Sequence, residues 1–361
     1  MTQKKDLFEP FRFRNGVWAP NRLALAALTN SQSHADGTLS DEELHWLNLR
    51  AGGGFGIVTS CAAHVSKLGQ GWPGALGISD DAQLPGLTRF AQDMHQRKSL
   101  ALMQIFHGGL RADPTVCGGQ PISASDGGPT GARAATEHDL EQVIEDFAQA
   151  AVRAHAAKMD GIEIHGAHGY LFTQFLSTTE NHRTDQWGGS YENRARLLRR
   201  TMQAVRARVP KDFVVGVRIS PEDGGNARGI DLDESLQLAK WLADDGIDFL
   251  HMSLWDAFKP SIKRPAEHPL DIFKRVIPAD LPIFAAGHIW DRNDAQKVLD
   301  LGADVIALGR SAILNPNWPK DIIDPAWQPK RLPTTSAHLL SVGLQPVFIN
   351  RLKPRPGFIA D

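Results

Sequence analysis

Two histidines and a tyrosine lie close together in the stretch from Gly161 to Tyr170, which reads G-I-E-I-H-G-A-H-G-Y after a short apolar run. Two neutral imidazole N–H groups can donate hydrogen bonds to one ligand oxygen, and a nearby phenol can give up a proton. His165, His168 and Tyr170 are therefore candidate catalytic residues for a reaction that polarises a carbonyl group and protonates a neighbouring atom. An H-x-x-H pattern is also typical of metal ligands or of histidines that stabilise a turn, and both interpretations stay open here.

The composition narrows the class of partner. The 361 residues carry a formal net charge of -2 and contain no long block of Lys and Arg, so we expect a small-molecule partner, with no binding of nucleic acid or an anionic membrane. No apolar signal segment or run of about 18 apolar residues is present, which predicts a cytoplasmic protein. Cys61 and Cys117 are the only cysteines. They are too few for a disulfide framework or an iron–sulfur cluster held by four thiolates.

Eight short apolar runs recur along the chain, with amphipathic or polar segments between them. This alternation is typical of parallel strands that are each covered by a helix, and eight strands close a barrel. The sequence therefore predicts an α/β fold, a single (β/α)8 TIM barrel over about residues 20–316. The predicted strands are Arg22–Leu28, Gly56–Ala62, Ser99–Ile105, Gly161–Gly166, Val214–Ser220, Asp248–Leu254, Leu281–Gly287 and Ala303–Gly309.

Seven helices are predicted between these strands. Several begin after an N-cap residue such as Ser190 or Asp291 and end near a glycine, as at Gly246 and Gly302. The predicted helices are Asp41–Ala51, Leu84–Lys98, Leu140–Lys158, Tyr191–Val209, Leu232–Asp245, Leu270–Ile277 and Asp291–Leu301.

A doubly wound open sheet is the competing architecture for these strands and helices, but no G-x-G-x-x-G follows the first strand as a dinucleotide-binding fold would require.

Two segments fall outside the repeating pattern. Pro114–Glu137 is rich in Gly, Pro, Ser and Ala and is too long for a plain βα connection. It predicts a long loop excursion over the barrel mouth after the third strand, with the length of a lid. Residues 317–361 contain many prolines and two tryptophans and predict a C-terminal tail wrapped on the barrel. We interpret residues 1–361 as one domain.

Reactive groups in such a barrel lie where the strands end, because the βα loops build the site at that face. Side chains alternate along a strand, so Glu163 and His165 point to the same side, and we expect His165 to face the interior. Other strands bring further polar residues to the same end of the barrel, namely Thr29, Gln104, His107 and Arg218. This convergence favours a binding site over isolated structural roles.

The last two strands end in A-A-G-H and A-L-G-R, each with a glycine turn. Backbone amides at Gly287 and Gly309 can approach an anion, and Arg310 can bind it bidentately. The loops after strands seven and eight are the usual phosphate site of TIM barrels. The sequence therefore predicts a cofactor or substrate that carries a phosphate group.

The chain resembles the Old Yellow Enzyme family of FMN-dependent ene-reductases over nearly its whole length. The resemblance implies a TIM barrel that binds FMN and takes NADH or NADPH as co-substrate. The longest matching string is specific, and the shorter ones agree with the family in order and spacing. The strings are P-N-R-L at Pro20, R-A-G-G-G-F-G at Arg50, Q-I-F-H-G-G at Gln104, E-D-F-A-Q-A-A at Glu145, E-I-H-G-A-H-G-Y-L-F-T-Q-F-L-S at Glu163 and N-H-R-T-D-Q-W-G-G-S-Y-E-N-R ending at Arg194.

The resemblance also implies roles for the candidate residues. His165 and His168 would bind the carbonyl oxygen of an enone-type substrate, and Tyr170 would protonate the carbon alpha to that carbonyl. Arg218 would balance negative charge on the reduced flavin. The flavin ring and phosphate would be bound by Ala27, Leu28, Thr29, Ala62, Gln104, Arg218, Gly287, Gly309 and Arg310.

Some positions differ from the family pattern. Ser31 lies where some members present a tyrosine to the substrate, and Phe106 lies where others have tryptophan or alanine, so the shape of the substrate is left open. Arg351 and Arg355 of the tail are either solvated or reach the site of a neighbouring subunit, as happens in some members. A homo-oligomer is thus possible but not specified.

Three functions are compatible with these residues. The first is an FMN-dependent oxidoreductase that passes hydride from NAD(P)H to FMN and on to the beta carbon of an activated alkene. The second is a metal-dependent barrel hydrolase or lyase that uses His165 and His168 as ligands and needs a nearby carboxylate. The third is a flavin-binding protein without turnover. Our prediction is the first, with no metal.

Overall fold

Eight parallel strands close into a barrel in the computed structural model, which describes residues 5–361. Every strand pairs with the neighbour expected for a TIM barrel, and β2 pairs with both β1 and β3, which closes the ring together with the pairing of β8 and β1. The strands are β1 Leu23–Leu25, β2 Ile57–Thr59, β3 Leu100–Phe106, β4 Gly161–Gly166, β5 Val214–Ile219, β6 Phe249–Ser253, β7 Ile283–Ala286 and β8 Val305–Leu308. All eight predicted strands are thereby confirmed, and the open sheet is wrong.

The helices between the strands form the outer layer, and the seven predicted helices are found with ends that differ by up to three residues. Short polar side chains at their starts cap several of them, as Ser40 and Asp231 do by accepting backbone N–H groups. Over residues 5–361 the helices are α1 Asp41–Gly52, α2 Leu84–Gln96, α3 Glu137–Ala156, α4 Leu171–Leu176, α5 Tyr191–Arg208, α6 Leu232–Asp244, α7 Pro269–Lys274, α8 Arg292–Asp300, α9 Arg310–Leu314, α10 Trp318–Asp321, α11 Ser336–Ser341 and α12 Pro346–Leu352. None of them is long and apolar enough to cross a membrane.

A short hairpin closes the N-terminal end of the barrel. Its strands, Phe11–Arg12 and Trp18–Ala19, pair antiparallel. Phe13 follows the first of them and inserts against Phe249 and Phe284 of the lumen, with ring centroids 5.7 and 5.8 Å apart. The lower half of the barrel is therefore a packed aromatic core, and only the opposite end is left for a site.

The loop after β3 is compact. It contains the short parallel strands Ile122–Ser123 and Arg133–Ala134, and the side chain of Gln174 in α4 accepts from both Leu110 N and Ser123 Oγ. This loop ends at Thr136, where a capping box starts α3. The side chain of Thr136 accepts from the backbone N–H of Asp139, and the side chain of Asp139 accepts from the backbone N–H of Thr136. The predicted start of that helix at Leu140 was therefore three residues late.

The tail packs on the outside of the barrel. Trp318 is fully buried, and the Phe348 ring of α12 lies edge-on to Trp46 of α1 with centroids 5.6 Å apart. These contacts bring the end of α12 back to the barrel mouth. The expectation of a tail wrapped on the barrel agrees with this packing.

Candidate active site

The three candidate catalytic residues form one cluster at the C-terminal end of β4. The ring centroids of His165 and His168 lie 5.0 Å apart, and those of His165 and Tyr170 also lie 5.0 Å apart. His168 adopts a left-handed backbone conformation with φ 62°, and Gly169 follows with φ 74°. A non-glycine residue is rarely found there, so this turn is strained and redirects the chain from the strand into α4. It brings the second imidazole and the phenol beside the first.

Both imidazoles are neutral at ordinary pH. Burial lowers the pKa of His165 well below its usual value, and the positive charge of Arg218 acts in the same direction. Burial and Arg218 have the same effect on the pKa of His168. The Nδ1 atom of His165 is buried and has no hydrogen-bond partner among the described residues. The pair can therefore donate N–H groups to a ligand oxygen.

A serine on β6 connects His168 to Arg218. Its hydroxyl, Ser253 Oγ, lies 2.6 Å from Nε2 of His168 and accepts from Nη2 of Arg218 at 2.9 Å. Because Nε2 is engaged, Nδ1 is the ring atom of His168 that remains for a ligand. The Nε atom of Arg218 is buried and has no partner among residues 5–361. Sequence reasoning did not single out Ser253, although it lies at the end of a barrel strand.

A buried carboxylate lies deeper in the same end of the barrel. Glu163 Oε1 accepts from Nε2 of Gln104 at 2.6 Å, and Oε2 lies 2.6 Å from Nδ1 of His251. Burial by itself would raise the pKa of Glu163, but His251, Arg218 and Gln104 outweigh it and the pKa lies below its usual value. Glu163 is therefore an anion that fixes the Gln104 amide. The alternation along β6, which places His251 and Ser253 on one face, could have predicted both residues.

An aromatic cluster forms one wall of the site. Trp72 stacks on Phe106 with centroids 5.0 Å apart, and Phe106 lies edge-on to Tyr170 at 5.3 Å. Ala62 is buried in the same cluster. Ser31, in the loop after β1, has φ 58°, and its buried hydroxyl has no partner among the described residues. No sequence pattern indicates Trp72, because it lies in a loop.

The predicted phosphate loops meet at β7 and β8. Gly287 and Arg310 line a concavity of about 230 Å³ together with Gly309. Gly287 has φ 154°, and a Cβ there would lie 2.6 Å from the carbonyl oxygen of Leu254, so this position requires glycine. Burial lowers the pKa of Arg310, and nearby Arg355 adds to the effect. A phosphate placed here would compensate both charges.

The remaining candidates lie in the loop that follows β1. Ala27, Leu28 and Thr29 are partly exposed toward the barrel mouth. A Cβ added at Gly309 would lie 3.6 Å from Cδ2 of Leu28, so this loop adjoins the phosphate concavity. The structure thus brings all the predicted site residues to one end of the barrel. Their individual roles stay predictions.

The tail arginines lie close to the same site. The Arg351 guanidinium carbon lies 5.1 Å from the centroid of the Trp72 ring in the same chain, whereas Arg355 is exposed. Arg111, which sequence reasoning missed, lies over the Tyr170 ring at 4.8 Å. Two guanidinium groups therefore flank the aromatic wall.

The metal interpretation needs a third ligand beside the two histidines. Within residues 5–361, no group of three His, Cys, Asp or Glu side chains has an arrangement that could hold a metal ion. Glu163, a buried carboxylate on the same strand as His165, is bonded to Gln104 and His251 instead. The geometry gives the metal-dependent alternative no support.

Barrel and site together define a class, a (β/α)8 barrel whose C-terminal end carries two buried imidazoles, a phenol and a glycine-lined concavity beside an arginine. The sequence model of the NADH:flavin oxidoreductase / NADH oxidase family matches residues 6–324. The probable NADH-dependent flavin oxidoreductase YqiG of Bacillus subtilis (strain 168) is 36% identical over 324 residues, covering 87% of this chain and 87% of the relative.

Two solved structures give the same picture. The old yellow enzyme homologue from Zymomonas mobilis superposes with a TM-score of 0.82 at 30% identity, covering 93% of this chain and 96% of that chain. Morphinone reductase in complex with tetrahydroNAD gives a TM-score of 0.81 at 28% identity, covering 93% and 94%. The chain belongs to the NADH:flavin oxidoreductase / NADH oxidase family and, within it, to the Old Yellow Enzymes. It is an NAD(P)H-dependent flavin oxidoreductase whose cofactor is FMN.

The residues present fit FMN. Arg218 and His165 each have a buried nitrogen without a partner among the described residues, both at the barrel mouth. At the ends of β7 and β8, Gly287 and Gly309 line the concavity beside the cation of Arg310. Buried nitrogens that could meet a flavin ring and a concavity that could hold its phosphate therefore lie at the same end of the barrel.

Proposed function

We propose that this protein reduces activated alkenes, with the carbonyl group of an α,β-unsaturated substrate held by His165 and His168 and the alpha carbon protonated by Tyr170. The observation that carries the proposal is the cluster itself, in which the ring centroids of His168 and Tyr170 each lie 5.0 Å from that of His165. Bound FMN, reduced by NADH or NADPH, supplies the hydride that adds to the beta carbon.

The two histidines act on the developing charge. As hydride adds to the beta carbon, negative charge develops on the carbonyl oxygen, and preorganised donors stabilise it. Removing one such donor typically costs about 3 kcal/mol. The hydrogen bond to Ser253 and the bond from Arg111 to the His168 carbonyl oxygen hold the second imidazole in place.

Tyr170 is suited to donate the proton. Burial raises the pKa of Tyr170, while the positive charges of Arg111 and Arg351 act in the opposite direction. The phenol therefore carries its proton at neutral pH, and the two cations stabilise the phenolate that remains after transfer.

The test separates the two halves of the reaction. We expect Tyr170→Phe to slow reoxidation of the reduced enzyme by 2-cyclohexenone by about 100-fold, the usual contribution of a general acid, because only that half needs the proton. Reduction of the flavin by NADH or NADPH should be unchanged. Both rates are measured by stopped-flow absorbance of the flavin.

Tyr191→Phe is the matched control, since Tyr191 is the only other tyrosine and stacks on Trp241 away from the cluster. Equal loss in both halves for Tyr170→Phe would contradict the role of Tyr170. A wild-type enzyme whose reduced flavin is not reoxidised by any enone would favour the flavin-binding protein without turnover.

A further inference from the structure

Arg111 lies between Tyr170 and the second histidine, and all of its partners are neutral. Its Nη1 donates to the carbonyl oxygen of His168 at 2.6 Å, and its guanidinium carbon lies 4.8 Å from the Tyr170 ring centroid. The side-chain oxygen of Asn226, in the amide orientation that satisfies its surroundings, accepts from the same Nη1 at 2.8 Å. The position of this cation is thus fixed by contacts that leave its charge uncompensated.

Arg351 approaches the same wall from α12. Its guanidinium carbon lies 5.1 Å from the Trp72 ring centroid, and its Nε is buried without a partner among the described residues. Burial lowers the pKa of Arg351, and the nearby positive charges of Arg355 and Arg111 add to that effect. The guanidinium therefore lies partly out of water and close to like charge.

Three other buried or partly buried arginines of this chain are neutralised. Arg194, Arg199 and Arg206 each face a carboxylate at ion-pair distance. Within residues 5–361, neither Arg111 nor Arg351 has a carboxylate within 4.0 Å. Withdrawing a cation from water without a counter-charge is costly, and a cation–π contact returns only part of that cost. A missing anion is the simplest complement of this pair.

We propose that Arg111 and Arg351 form a carboxylate subsite beside Tyr170, which selects activated alkenes that carry a carboxylate in addition to the carbonyl group bound by the histidines. The planar guanidinium matches a carboxylate in shape and hydrogen-bond geometry. In the reduction the alkene gains a hydride at its beta carbon and a proton at its alpha carbon, and the carboxylate is unchanged. This inference rests on the proposed function.

The position of the subsite favours a substituent of the substrate over a more distant anion. Arg111 is bonded to the backbone of His168, and the Tyr170 ring it covers is 5.0 Å from His165. A small molecule whose carbonyl oxygen reaches the histidines can place a second group there. A phosphate of the nicotinamide co-substrate offers the same anionic chemistry, so the experiment includes an arm for it.

The experiment compares two phenols of the same shape, 4-hydroxybenzoate and 4-hydroxybenzamide, which differ in the charge of one substituent. Dissociation constants are measured on the holoenzyme from the change in the FMN absorption spectrum. We expect the wild type to prefer the benzoate by about tenfold or more, the worth of one charge-assisted bond. In Arg351→Gln the preference should fall to about threefold or less, with affinity for the benzamide unchanged.

Arg14→Gln is the matched control, because it removes the same charge at the closed end of the barrel, where Arg14 pairs with Asp280. It should keep the full preference. Arg111→Lys retains a cation near His168 without the bidentate geometry and should lose part of the preference. If the wild type shows no preference, or Arg351→Gln retains it, the carboxylate subsite is refuted.

Two further measurements show whether the anion belongs to the substrate or to the nicotinamide co-substrate, and separate failure of the subsite from failure of the proposed function. If Arg351→Gln slows flavin reduction by NADPH but not NADH and keeps the phenol preference, the arginines bind the dinucleotide phosphate and the proposal is wrong. If the preference collapses as expected while no enone reoxidises the wild type, the subsite stands and the proposed reaction fails.

Discussion

At the scale of single residues, the buried anion Glu163 should set the redox behaviour of the flavin. It lies at the base of the site, bonded to Gln104 and His251, and its charge partly offsets that of Arg218. Glu163→Gln removes this negative charge, so reduced flavin, which carries added negative charge, becomes easier to form. We expect the two-electron reduction potential to rise by about 30 mV, which corresponds to about 1.4 kcal/mol.

Equilibration with a reference dye during slow reduction measures this potential. Glu141→Gln, which removes an exposed carboxylate paired with Arg200 on the outer helices, should leave it unchanged. A shift of Glu163→Gln to more negative potential would contradict the electrostatic role of Glu163.

Much of the site could be predicted at this scale because strand geometry is periodic. Alternation along β4 places Glu163 and His165 on the inner face, and both are buried at the barrel end. Arg111 and Trp72 could not be found in this way, since loop residues have no period. Their approach to Tyr170 depends on how the loops after β2 and β3 fold, which no local pattern encodes.

At the scale of elements, the N-terminal hairpin should matter for stability and not for the chemistry. Phe13 is buried against Phe249 and Phe284 at the closed end of the barrel. Phe13→Ala leaves a cavity in this packed aromatic core, and we expect the free energy of unfolding to fall by about 3–5 kcal/mol. Urea unfolding followed by circular dichroism measures the loss.

Trp18→Ala is the control on the same hairpin, because Trp18 is 59% exposed and its removal should cost little. The reduction potential of the flavin should be the same in both variants, since the hairpin lies at the end opposite the site. An unfolding free energy equal to that of the wild type in Phe13→Ala would show that the hairpin does not close the barrel.

The hairpin also shows what limits prediction of elements. The eight barrel strands were predictable because each is a buried apolar run followed by a helix. The hairpin strands contain two residues each, too few for an alternating pattern. The tail helices have four to seven residues, which is also too short to show a hydrophobic period. Only the proline and tryptophan content of the tail indicated that it packs on the barrel.

At the scale of the whole molecule, buried histidines and buried acids make opposite contributions to the pH dependence of stability. Burial lowers the pKa of His107 from 6.5 to about 3 and raises that of Glu43 from 4.5 to about 7. Between pH 7 and 5 the unfolded state takes up a proton at His107 that the folded state does not, so this histidine lowers stability as pH falls. Glu43 is the reverse case, because the folded state holds the proton and stability is lost as pH rises.

Substituting each group should therefore change the pH dependence in opposite directions. For a fully buried group, linkage gives about 2 kcal/mol between pH 7 and 5 for each of these shifts. We expect His107→Gln to reduce the loss of unfolding free energy on acidification by about 2 kcal/mol, and Glu43→Gln to increase it by a similar amount. Urea unfolding at pH 7, 6 and 5 with a fixed FMN concentration gives the change of unfolding free energy with pH for the wild type and for each variant. Comparing slopes cancels any constant cost of the substitutions. If both variants changed the slope in the same direction, one of the two groups would not have the burial-shifted pKa assigned to it.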